Sequence, residues 1–509
     1  MYVRDWLARR SVLAPDKTAL IDAATDARLT YRQLDQRATR LAHALRQWYG
    51  VQPGERIAVL ALNRNEILEA FFAAQKLTAI LVPLNYRLTA AELSYILRDC
   101  QPRVLFYEED FVPVIGELRK DLPECVWLSF AREGGVPSYE DILQRGTDAP
   151  LQVDEFDAEQ PAMIIYTSGT TGHPKGALLS HRMLTWNSIN TQLSWDLVSS
   201  DVTTCHAPLF HTGGFNVLTL PLLHLGGTVV MLRSFEPDAW LAAIEQYRCT
   251  VVFGVPTMFE MMRAAPGFAT TDLGSLRFFI SGGAPCPIPL IEAFQARGVQ
   301  FTQGFGLTEV GPNCFKLDLQ DAVRKAGSIG FPTFHSEARI VNKQGREVAR
   351  GETGELLLRG LHVCSGYWQN QAATAAALRD GWFFTGDLAR QDDEGYFYIA
   401  GRAKDMIITG GENVYPAEVE AVLHQHPAVA SAAVIGLPDA KWGERVVAAI
   451  IQRADVSAEE LIAFCQDKLA RYKIPKRIFF VANFPLAGSG KIVKRLIKEE
   501  IERGQQSTS

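Results

Sequence analysis

The sequence predicts an α/β protein: a large N-terminal domain of parallel and mixed sheets with crossover helices, then a small α+β domain. The first observation is length, because 509 residues exceed what one hydrophobic core usually serves. The second is an alternation of helical and strand patterns from residue 29 onward. The third is a change of pattern near Gly401, after which residues 405–509 form a compact unit.

The elements follow from spacing and turn residues. Thr30 and Gln33 form a capping box before a helix that Gly50 ends. Helices are also expected at 66–77 and 90–98, and strands at 57–60, 82–84, 104–107, 163–166, 229–232, 250–253 and 277–280. Turns at 342–345 and 392–395 indicate hairpins. The last unit is expected to hold strands near 430–436, 445–452 and 477–482 and a helix over 459–469.

The bulk properties narrow the class of protein. A net charge of −6 and a pI near 6.0 argue against a general nucleic-acid binder. The eight cysteines are scattered without a Cys-x-x-Cys pair, so neither a zinc site nor a disulfide framework is expected. The N-terminus lacks the apolar core of a secretory signal, and no transmembrane segment is expected. A cytoplasmic protein, monomeric or homodimeric, is the simplest interpretation.

The segment from Thr167 to Gly176 is the most informative stretch. It contains three glycines, four hydroxyl-bearing residues and one lysine, Lys175, and its only apolar side chain is a proline. Glycines let backbone N–H groups approach an anion, hydroxyls donate to phosphate oxygens, and lysine supplies charge. The spacing is neither a Walker loop nor a Rossmann fingerprint. A solvated glycine-rich turn is the competing interpretation.

Tyr166 to Gly176 resembles the phosphate-binding signature of the AMP-forming adenylating enzymes: acyl-CoA synthetases, aryl-CoA ligases, luciferases and peptide-synthetase adenylation domains. Six motifs follow in family order across the chain. Residues 282–285, 324–327 and 470–476 are most similar to stand-alone bacterial fatty acyl-CoA synthetases. The family usually has threonine where Ala487 stands.

The resemblance implies a site for ATP and Mg²⁺. Thr308 would donate to the α-phosphate, Glu309 would bind Mg²⁺, and Lys175 and Lys491 would be catalytic, with Lys491 stabilising charge during adenylation. Asp387 and Arg402 would hold the ribose. The full implied nucleotide set is Thr167, Ser168, Gly169, Thr170, Thr171, Gly172, Lys175, Gly283, Ala284, Pro285, Gln303, Gly304, Phe305, Gly306, Thr308, Asp387, Arg402 and Lys491.

The resemblance also implies sites for the acid and for coenzyme A. The expected acyl-binding residues are His211, Trp186, Asn187, Phe215 and Leu307. The expected coenzyme A contacts are Gly410, Gly411, Glu412, Arg471, Lys473 and Lys476. The last three belong to a stretch from Lys468 to Lys498 that holds nine basic residues and no acidic one. Residues 1–402 and 403–509 are the expected domains, with Lys404 as the hinge. The resemblance implies that the first includes a β-barrel-like subdomain and that the second is mobile.

The implied activity is an ATP-dependent, AMP-forming carboxylic acid–CoA ligase acting through an acyl-adenylate. A medium- or long-chain fatty acid is the first expectation, and an aryl or cinnamic acid is the alternative. A hypothesis of another class is a non-catalytic nucleotide- or lipid-binding protein on the same fold. The N-terminal segment is either a docking helix or a weak membrane-surface contact made by Trp6, Leu7, Arg9, Arg10, Val12 and Leu13.

Overall fold

A computed structural model of the chain describes residues 5–132, 137–151, 157–167, 173–439, 441–466, 468–486 and 492–506. The chain forms two compact units. The first comprises Met1–Ala338 and Leu358–Phe383, and the second comprises Arg339–Leu357 and Phe384–Ser509. The predicted α/β class, with a larger N-terminal and a smaller C-terminal part, is confirmed. The predicted boundary between residues 402 and 403 concerns a moving domain and stays a prediction.

The helices have the following bounds: α1 Trp6–Leu13, α2 Tyr31–Trp48, α3 Asn65–Leu77, α4 Ala90–Cys100, α5 Val112–Leu118, α6 Tyr139–Gln144, α7 His181–Ser194, α8 Thr212–Asn216, α9 Thr219–Leu225, α10 Pro237–Gln246, α11 Pro256–Ala264, α12 Ile288–Gln295, α13 Gln371–Ala377, α14 Pro416–Leu423, α15 Ala458–Gln466 and α16 Lys494–Gln506. Short 3-10 helices span Glu109–Phe111, Pro266–Ala269, Thr308–Val310, Leu319–Asp321 and Ala403–Asp405.

The strands have the following bounds: β1 Thr18–Asp22, β2 Arg28–Thr30, β3 Arg56–Leu60, β4 Ile80–Pro83, β5 Val104–Tyr107, β6 Val126–Ser129, β7 Pro161–Thr167, β8 Lys175–Ser180, β9 Val202–Cys205, β10 Thr228–Met231, β11 Val251–Gly254, β12 Phe278–Ser281, β13 Gln300–Leu307, β14 Gly311–Leu317, β15 Ser328–Pro332, β16 Glu337–Val341, β17 Gly354–Arg359, β18 Leu378–Arg379, β19 Trp382–Gln391, β20 Phe397–Arg402, β21 Ile407–Thr409, β22 Glu412–Val414, β23 Val429–Asp439, β24 Gly443–Gln452 and β25 Arg477–Phe480.

Three sheets organise the first unit. One has the order β6–β5–β3–β4–β7–β8, and another has the order β2–β1–β10–β9. In the third, β11, β12 and β13 are parallel, and β14 and β15 continue it in antiparallel fashion. Because ligands bind beyond the carboxyl ends of parallel strands, the segments after β7, β12 and β13 are the places to look for a site.

The second unit has its own sheet and core. Strands β22, β21, β24 and β23 lie in that order, and β25 runs parallel to β24. Helices α14 and α15 cover one face, where Val434, Ile450, Leu461 and Cys465 belong to one buried cluster. Strands β20, β19, β17 and β16 follow one another side by side, and the hairpin turns predicted near them are present. Closure into a barrel-like subdomain stays a prediction.

The helix start predicted at Thr30 is confirmed in its atomic detail. The N–H of Gln33 donates to Thr30 Oγ1 at 3.2 Å, and the N–H of Thr30 donates to Gln33 Oε1 at 2.9 Å. The same reciprocal pair begins α4 at Thr89 and Glu92. Each pair satisfies two N–H groups that would otherwise have no helical partner.

Helix α1 docks onto the first unit. The Trp6 ring stacks on His224 with centroids 4.2 Å apart, and Arg10 Nε donates to the His224 carbonyl at 2.6 Å. Trp6 and Leu7 are buried, so the membrane-contact alternative is wrong for these two side chains, while Leu13 at the other end is exposed. No helix within the described part of the chain is long and apolar enough to cross a membrane.

Candidate active site

The ends of β7 and β13 bring two predicted site residues together. β7 ends at Thr167, and the short helix that carries Glu309 follows β13 directly. Thr167 Oγ1 lies 3.4 Å from Glu309 Oε1, across 142 residues of sequence. The sequence predicted both residues from their motifs and placed only Thr167 after a strand, and the structure brings the two side chains together.

The phosphate loop is anchored by a strand pair. Thr167 pairs with Lys175, and Tyr166 pairs with Gly176, across the antiparallel ladder of β7 and β8. Five predicted contacts in the loop between them lie outside the described residues: Ser168, Gly169, Thr170, Thr171 and Gly172. The predicted catalytic residue Lys491, near the C-terminus, also lies outside them. Their roles stay predictions.

Tyr367 is a site residue that sequence reasoning missed. Its hydroxyl donates to Glu309 Oε1 at 3.0 Å, and Lys175 Nζ lies 5.6 Å from its ring centroid. Tyr367 follows Glu309 by 58 residues, a separation that no periodicity can reveal. The local sequence feature that marks Tyr367 is its position between Gly366 and Trp368, as the first of two adjacent aromatic residues.

Asp99 on α4 was also missed, and it supports both flanks of the loop. Tyr166 donates its hydroxyl to Asp99 Oδ2 at 2.5 Å, and Trp368 Nε1 donates to the Asp99 carbonyl at 3.1 Å. Burial raises the pKa of Tyr166 well above its ordinary value, and the neighbouring Cys100 and Asp99 raise it further. Tyr166 is therefore a neutral donor at physiological pH.

The residues expected to hold the base follow β12 and lie within β13. Gly283, Ala284 and Pro285 are exposed immediately after β12, and the half-buried Phe305 ring meets Phe315 edge-on at 5.8 Å. The predicted contacts Gly304 and Gly306 flank Phe305, and Thr308 follows at the start of the short helix.

The side chain of Gln303 holds the base segment in place. Its Oε1 accepts from the Cys286 N–H at 3.1 Å, and its Nε2 donates to the Ser328 carbonyl at 3.1 Å. Gln303 is buried. Both polar groups of this amide thus support neighbouring backbone.

The expected acyl-binding residues cluster around α7 and α8. His211 precedes α8, with its ring 4.8 Å from that of Phe210, and Leu307 is half-buried at the end of β13. Trp186 on α7 is half-buried and meets the His335 ring edge-on at 4.9 Å. Phe215 differs, because it is 0% exposed and packs in the interior.

The buried face of α7 is polar. Asn187 Nδ2 donates to the Asn216 carbonyl at 2.8 Å, and Asn313 Nδ2 donates to Thr191 Oγ1 at 2.7 Å. Among the residues that the structure describes, no group donates to Asn187 Oδ1 or Asn216 Oδ1, although both oxygens are buried. A Cβ at Gly311 would lie 2.7 Å from Asn187 Oδ1, so this amide sits directly against the start of β14.

The predicted ribose residues are neighbours in the second unit. Asp387 on β19 and Arg402 on β20 are register partners, and Arg402 Nε lies 2.7 Å from Asp387 Oδ1. Asp387 is buried, and Arg402 is half-buried. The guanidinium holds the carboxylate in one orientation, and the role of the pair in binding ribose stays a prediction.

Gly410 and Gly411 form the two-residue turn between β21 and β22. Their φ values are +60° and +86°, which favour glycine, and a Cβ at Gly410 would lie 2.9 Å from the Trp442 ring. The predicted contact Glu412 follows and is exposed, and the predicted hinge Lys404 is exposed within Ala403–Asp405.

The predicted coenzyme A cations differ in their surroundings. Lys473 Nζ makes an ion pair with both carboxylate oxygens of Glu418 at 2.7 and 2.8 Å. Lys476 Nζ donates to the Arg471 carbonyl at 2.9 Å, and Arg471 is exposed. Partial burial, and then the Arg471 charge, lower the pKa of Lys476.

The surroundings of Glu309 fit a magnesium ion that arrives with ATP. Its half-buried carboxylate is a hard oxygen ligand beside the start of the phosphate loop, and Mg²⁺ usually takes only one or two protein carboxylates next to phosphates. Clusters of three or more His, Cys, Asp or Glu side chains able to hold a metal do not occur in the described ranges. The role of Glu309 as a ligand of that ion stays a prediction.

Family models match both parts of the chain. The model described as AMP-binding enzyme matches residues 7–368, and the model described as AMP-binding enzyme C-terminal domain matches residues 418–491.

Several characterised relatives align along nearly the full length. The chain is 42% identical to the feruloyl-CoA synthase of an Amycolatopsis species, over 96% of this chain and 97% of the relative. It is 41% identical to the indoleacetate–CoA ligase of Aromatoleum aromaticum, over 99% of each chain. It is 36% identical to a long-chain-fatty-acid–CoA ligase of Mycobacterium tuberculosis, over 97% of this chain and 98% of the relative.

Solved structures of similar proteins share the fold. An anthranilate CoA ligase in complex with anthranoyl-AMP has a TM-score of 0.90 at 32% identity, with 98% of this chain and 96% of that chain covered. The O-succinylbenzoate coenzyme A synthetase of Bacillus subtilis, in complex with ATP and magnesium ion, has a TM-score of 0.87 at 30% identity, covering 97% of this chain and 99% of that chain.

Proposed function

Because this chain belongs to the AMP-binding enzyme family and is an AMP-forming acyl-CoA ligase, we propose that its substrate is an aryl carboxylic acid whose ring carries a hydrogen-bond donor. The proposal deepens the alternative that the sequence left open and reverses the order of the two acids. A fatty acid becomes the second candidate.

The observation that carries the proposal is the pair of buried amide oxygens beside α7 and α8. Asn187 Oδ1 and Asn216 Oδ1 lack donors in the part of the chain that the structure describes. An unsatisfied buried acceptor costs about 1–3 kcal/mol. We infer that a ring hydroxyl or ring N–H of the acid donates to one of these oxygens, whereas an alkyl chain has no donor to offer.

The names of two relatives support the same chemistry. The feruloyl and indoleacetate enzymes, at 42% and 41% identity, act on acids whose rings carry a phenolic hydroxyl and an N–H. The relative named for long-chain fatty acids is 36% identical, and it is the observation that keeps a fatty acid as second candidate.

In the first half-reaction we propose that a carboxylate oxygen of the acid attacks the α-phosphorus of ATP, and the bond to pyrophosphate breaks. Lys175, Thr308 and Lys491 would offset the charge that develops on the phosphate oxygens, and the phosphate loop would donate N–H groups to them. Magnesium held at Glu309, when bound, supplies further neutralisation of the phosphates.

In the second half-reaction the thiol of coenzyme A attacks the acyl carbon, and AMP leaves with the bonding pair. We propose that the C-terminal domain turns about Lys404 between the two steps, which withdraws Lys491 and brings up the Gly410–Gly411 turn. Exposed Arg471, together with Lys473 and Lys476, would meet the coenzyme A phosphates.

The test is acid-dependent exchange of pyrophosphate into ATP, followed by thioester formation, with matched acids. Indole-3-acetate is compared with 1-methylindole-3-acetate, 4-hydroxycinnamate with 4-methoxycinnamate, and all four with octanoate, decanoate and palmitate. We expect each donor-bearing acid to exceed its matched partner about tenfold or more in kcat/KM, since buried acceptors reject analogues that lack the donor. Asn187→Leu should shrink that ratio.

The other outcomes of the screen would favour a different substrate or a different function. Preference for decanoate or palmitate over every aryl acid would favour the fatty-acid candidate. Equal rates for the members of each matched pair would remove the role of the amide oxygens. Exchange with none of the acids would favour the non-catalytic binding protein.

A further inference from the structure

We propose that Tyr367 is a positioning residue that orients the carboxylate of Glu309 for the magnesium ion of Mg·ATP. The inference rests on the proposed function of the site and concerns one hydroxyl group. Tyr367 acts through Glu309 and need not touch ATP itself.

Two hydroxyls converge on the same carboxylate oxygen. The Tyr367 hydroxyl donates to Glu309 Oε1 at 3.0 Å, and Thr167 Oγ1 lies 3.4 Å from that oxygen. Both contacts engage Oε1, so they restrict rotation of the carboxylate about its Cγ–Cδ bond. A carboxylate on a freely rotating glutamate side chain would lose rotamer freedom each time it bound a cation, and a prior hydrogen bond removes part of that cost.

The backbone around Tyr367 is built onto β8. Tyr367 forms an isolated bridge with Ala177, and the Trp368 N–H donates to the Gly176 carbonyl at 2.7 Å. The Tyr367 N–H donates to Thr374 Oγ1 at 2.9 Å. The phenol is therefore held by the strand that begins at Lys175, where the phosphate loop ends.

This arrangement couples the carboxylate to the phosphate loop. Lys175 Nζ lies 5.6 Å from the Tyr367 ring centroid, within reach of a cation–π attraction. A shift of β8 would move Lys175 and the Tyr367 hydroxyl together, and Glu309 would follow. Lys175, which is expected to bind phosphate, and Glu309, which is expected to bind Mg²⁺, are thus both supported by β8.

The variant Tyr367→Phe removes the hydroxyl and keeps the ring. The matched control is Tyr139→Phe, because Tyr139 also donates to a carboxylate, Glu69 Oε2 at 2.9 Å, in a buried cluster on α3 and α6 that the proposed mechanism does not use. Binding is measured by the electron paramagnetic resonance of Mn²⁺, used in place of Mg²⁺, with α,β-methylene-ATP. Binding of the same analogue in EDTA and the melting temperature are measured in parallel.

We expect Tyr367→Phe to weaken Mn²⁺ binding in the nucleotide complex by about 10–100-fold, as is usual when the partner of a metal ligand is removed. Binding of the analogue in EDTA should stay unchanged, and Tyr139→Phe should bind Mn²⁺ like the parent. In a Glu309→Gln background, Tyr367→Phe should cause no further loss, since the hydroxyl acts through that carboxylate.

Unchanged Mn²⁺ affinity in Tyr367→Phe would overturn the inference, as would an equal additional loss in the Glu309→Gln background. If instead the proposed function is wrong, the parent protein itself would show neither Mn²⁺-dependent nucleotide binding nor pyrophosphate exchange with any acid.

Discussion

At the scale of single residues, Glu69 on α3 shows how burial sets the behaviour of a charge. Its side chain is 1% exposed, with Arg37 Nε at 2.8 Å from Oε1 and the Tyr139 hydroxyl at 2.9 Å from Oε2. Burial raises the pKa of Glu69 to about 7 against the opposing effect of Arg37. The folded chain therefore holds this proton more tightly than the unfolded chain does.

This difference predicts a pH dependence of stability. The unfolded pKa is 4.5 and the folded pKa is about 7, so the contribution of Glu69 is fully present below pH 4.5 and is lost as pH rises through 7. Its size is at most about 3 kcal/mol. The melting temperature of the parent minus that of Glu69→Gln should fall between pH 5 and 7.5 and then level off. A difference that is constant or increases with pH would contradict the pKa assignment.

At the scale of elements, two substitutions in the Gly410–Gly411 turn separate the effect of backbone conformation from that of contact with Trp442. Both residues have positive φ, so alanine costs about 1–2 kcal/mol at either position. A Cβ at Gly410 would also lie 2.9 Å from the Trp442 ring, whereas a Cβ at Gly411 meets nothing within 4 Å. Gly411→Ala is thus a control for the conformation alone.

We expect Gly410→Ala to slow transfer from supplied acyl-AMP to coenzyme A about tenfold more than Gly411→Ala does, because it also moves the Trp442 ring. The rate of adenylation should change little in either variant. Single-turnover rates of the two half-reactions measure this directly. Equal losses in the two variants would assign the effect to backbone strain alone.

Sequence reasoning succeeded for elements where local chemistry decides the structure. The capping box at Thr30 and the buried strand after Thr250 needed only turn residues, periodicity and β-branched runs. The hairpin of β13 and β14 was not predicted, because the glycines around Phe305 resemble a loop and pairing with β14 makes them a strand. Tertiary pairing overrode local preference there.

The residues of the site were predictable where a local motif marks them, and not where distant segments create the contact. Thr167 and Glu309 follow from their motifs, and the structure brings them together. Tyr367 was not predicted, and Asn187 was predicted as an acyl-binding residue without its hydrogen bonds, because these bonds join distant segments. A polar helix face also gives no apolar periodicity for sequence analysis to detect.

At the scale of the whole molecule, the reaction is proposed to use its two parts in turn. Lys491→Ala should slow adenylation about 10²–10³-fold, since it removes a charge directed at the transition state. Formation of the thioester from supplied acyl-AMP should largely survive. Pyrophosphate exchange and single-turnover transfer measure the two steps, and adenylation at the parent rate would refute the role of Lys491. Gly410→Ala is expected to show the opposite pattern.

All eight cysteines are free and buried, and burial raises the pKa of thiols such as Cys205 to about 12. Native sulfur is therefore slow to react with maleimides. A cysteine introduced at exposed Val198 in the first unit, paired with one at exposed Ala454 in the second, would accept fluorophores or spin labels selectively. Because the native cysteines would contribute little background labelling, the distance between the two introduced labels could be followed during turnover in single molecules.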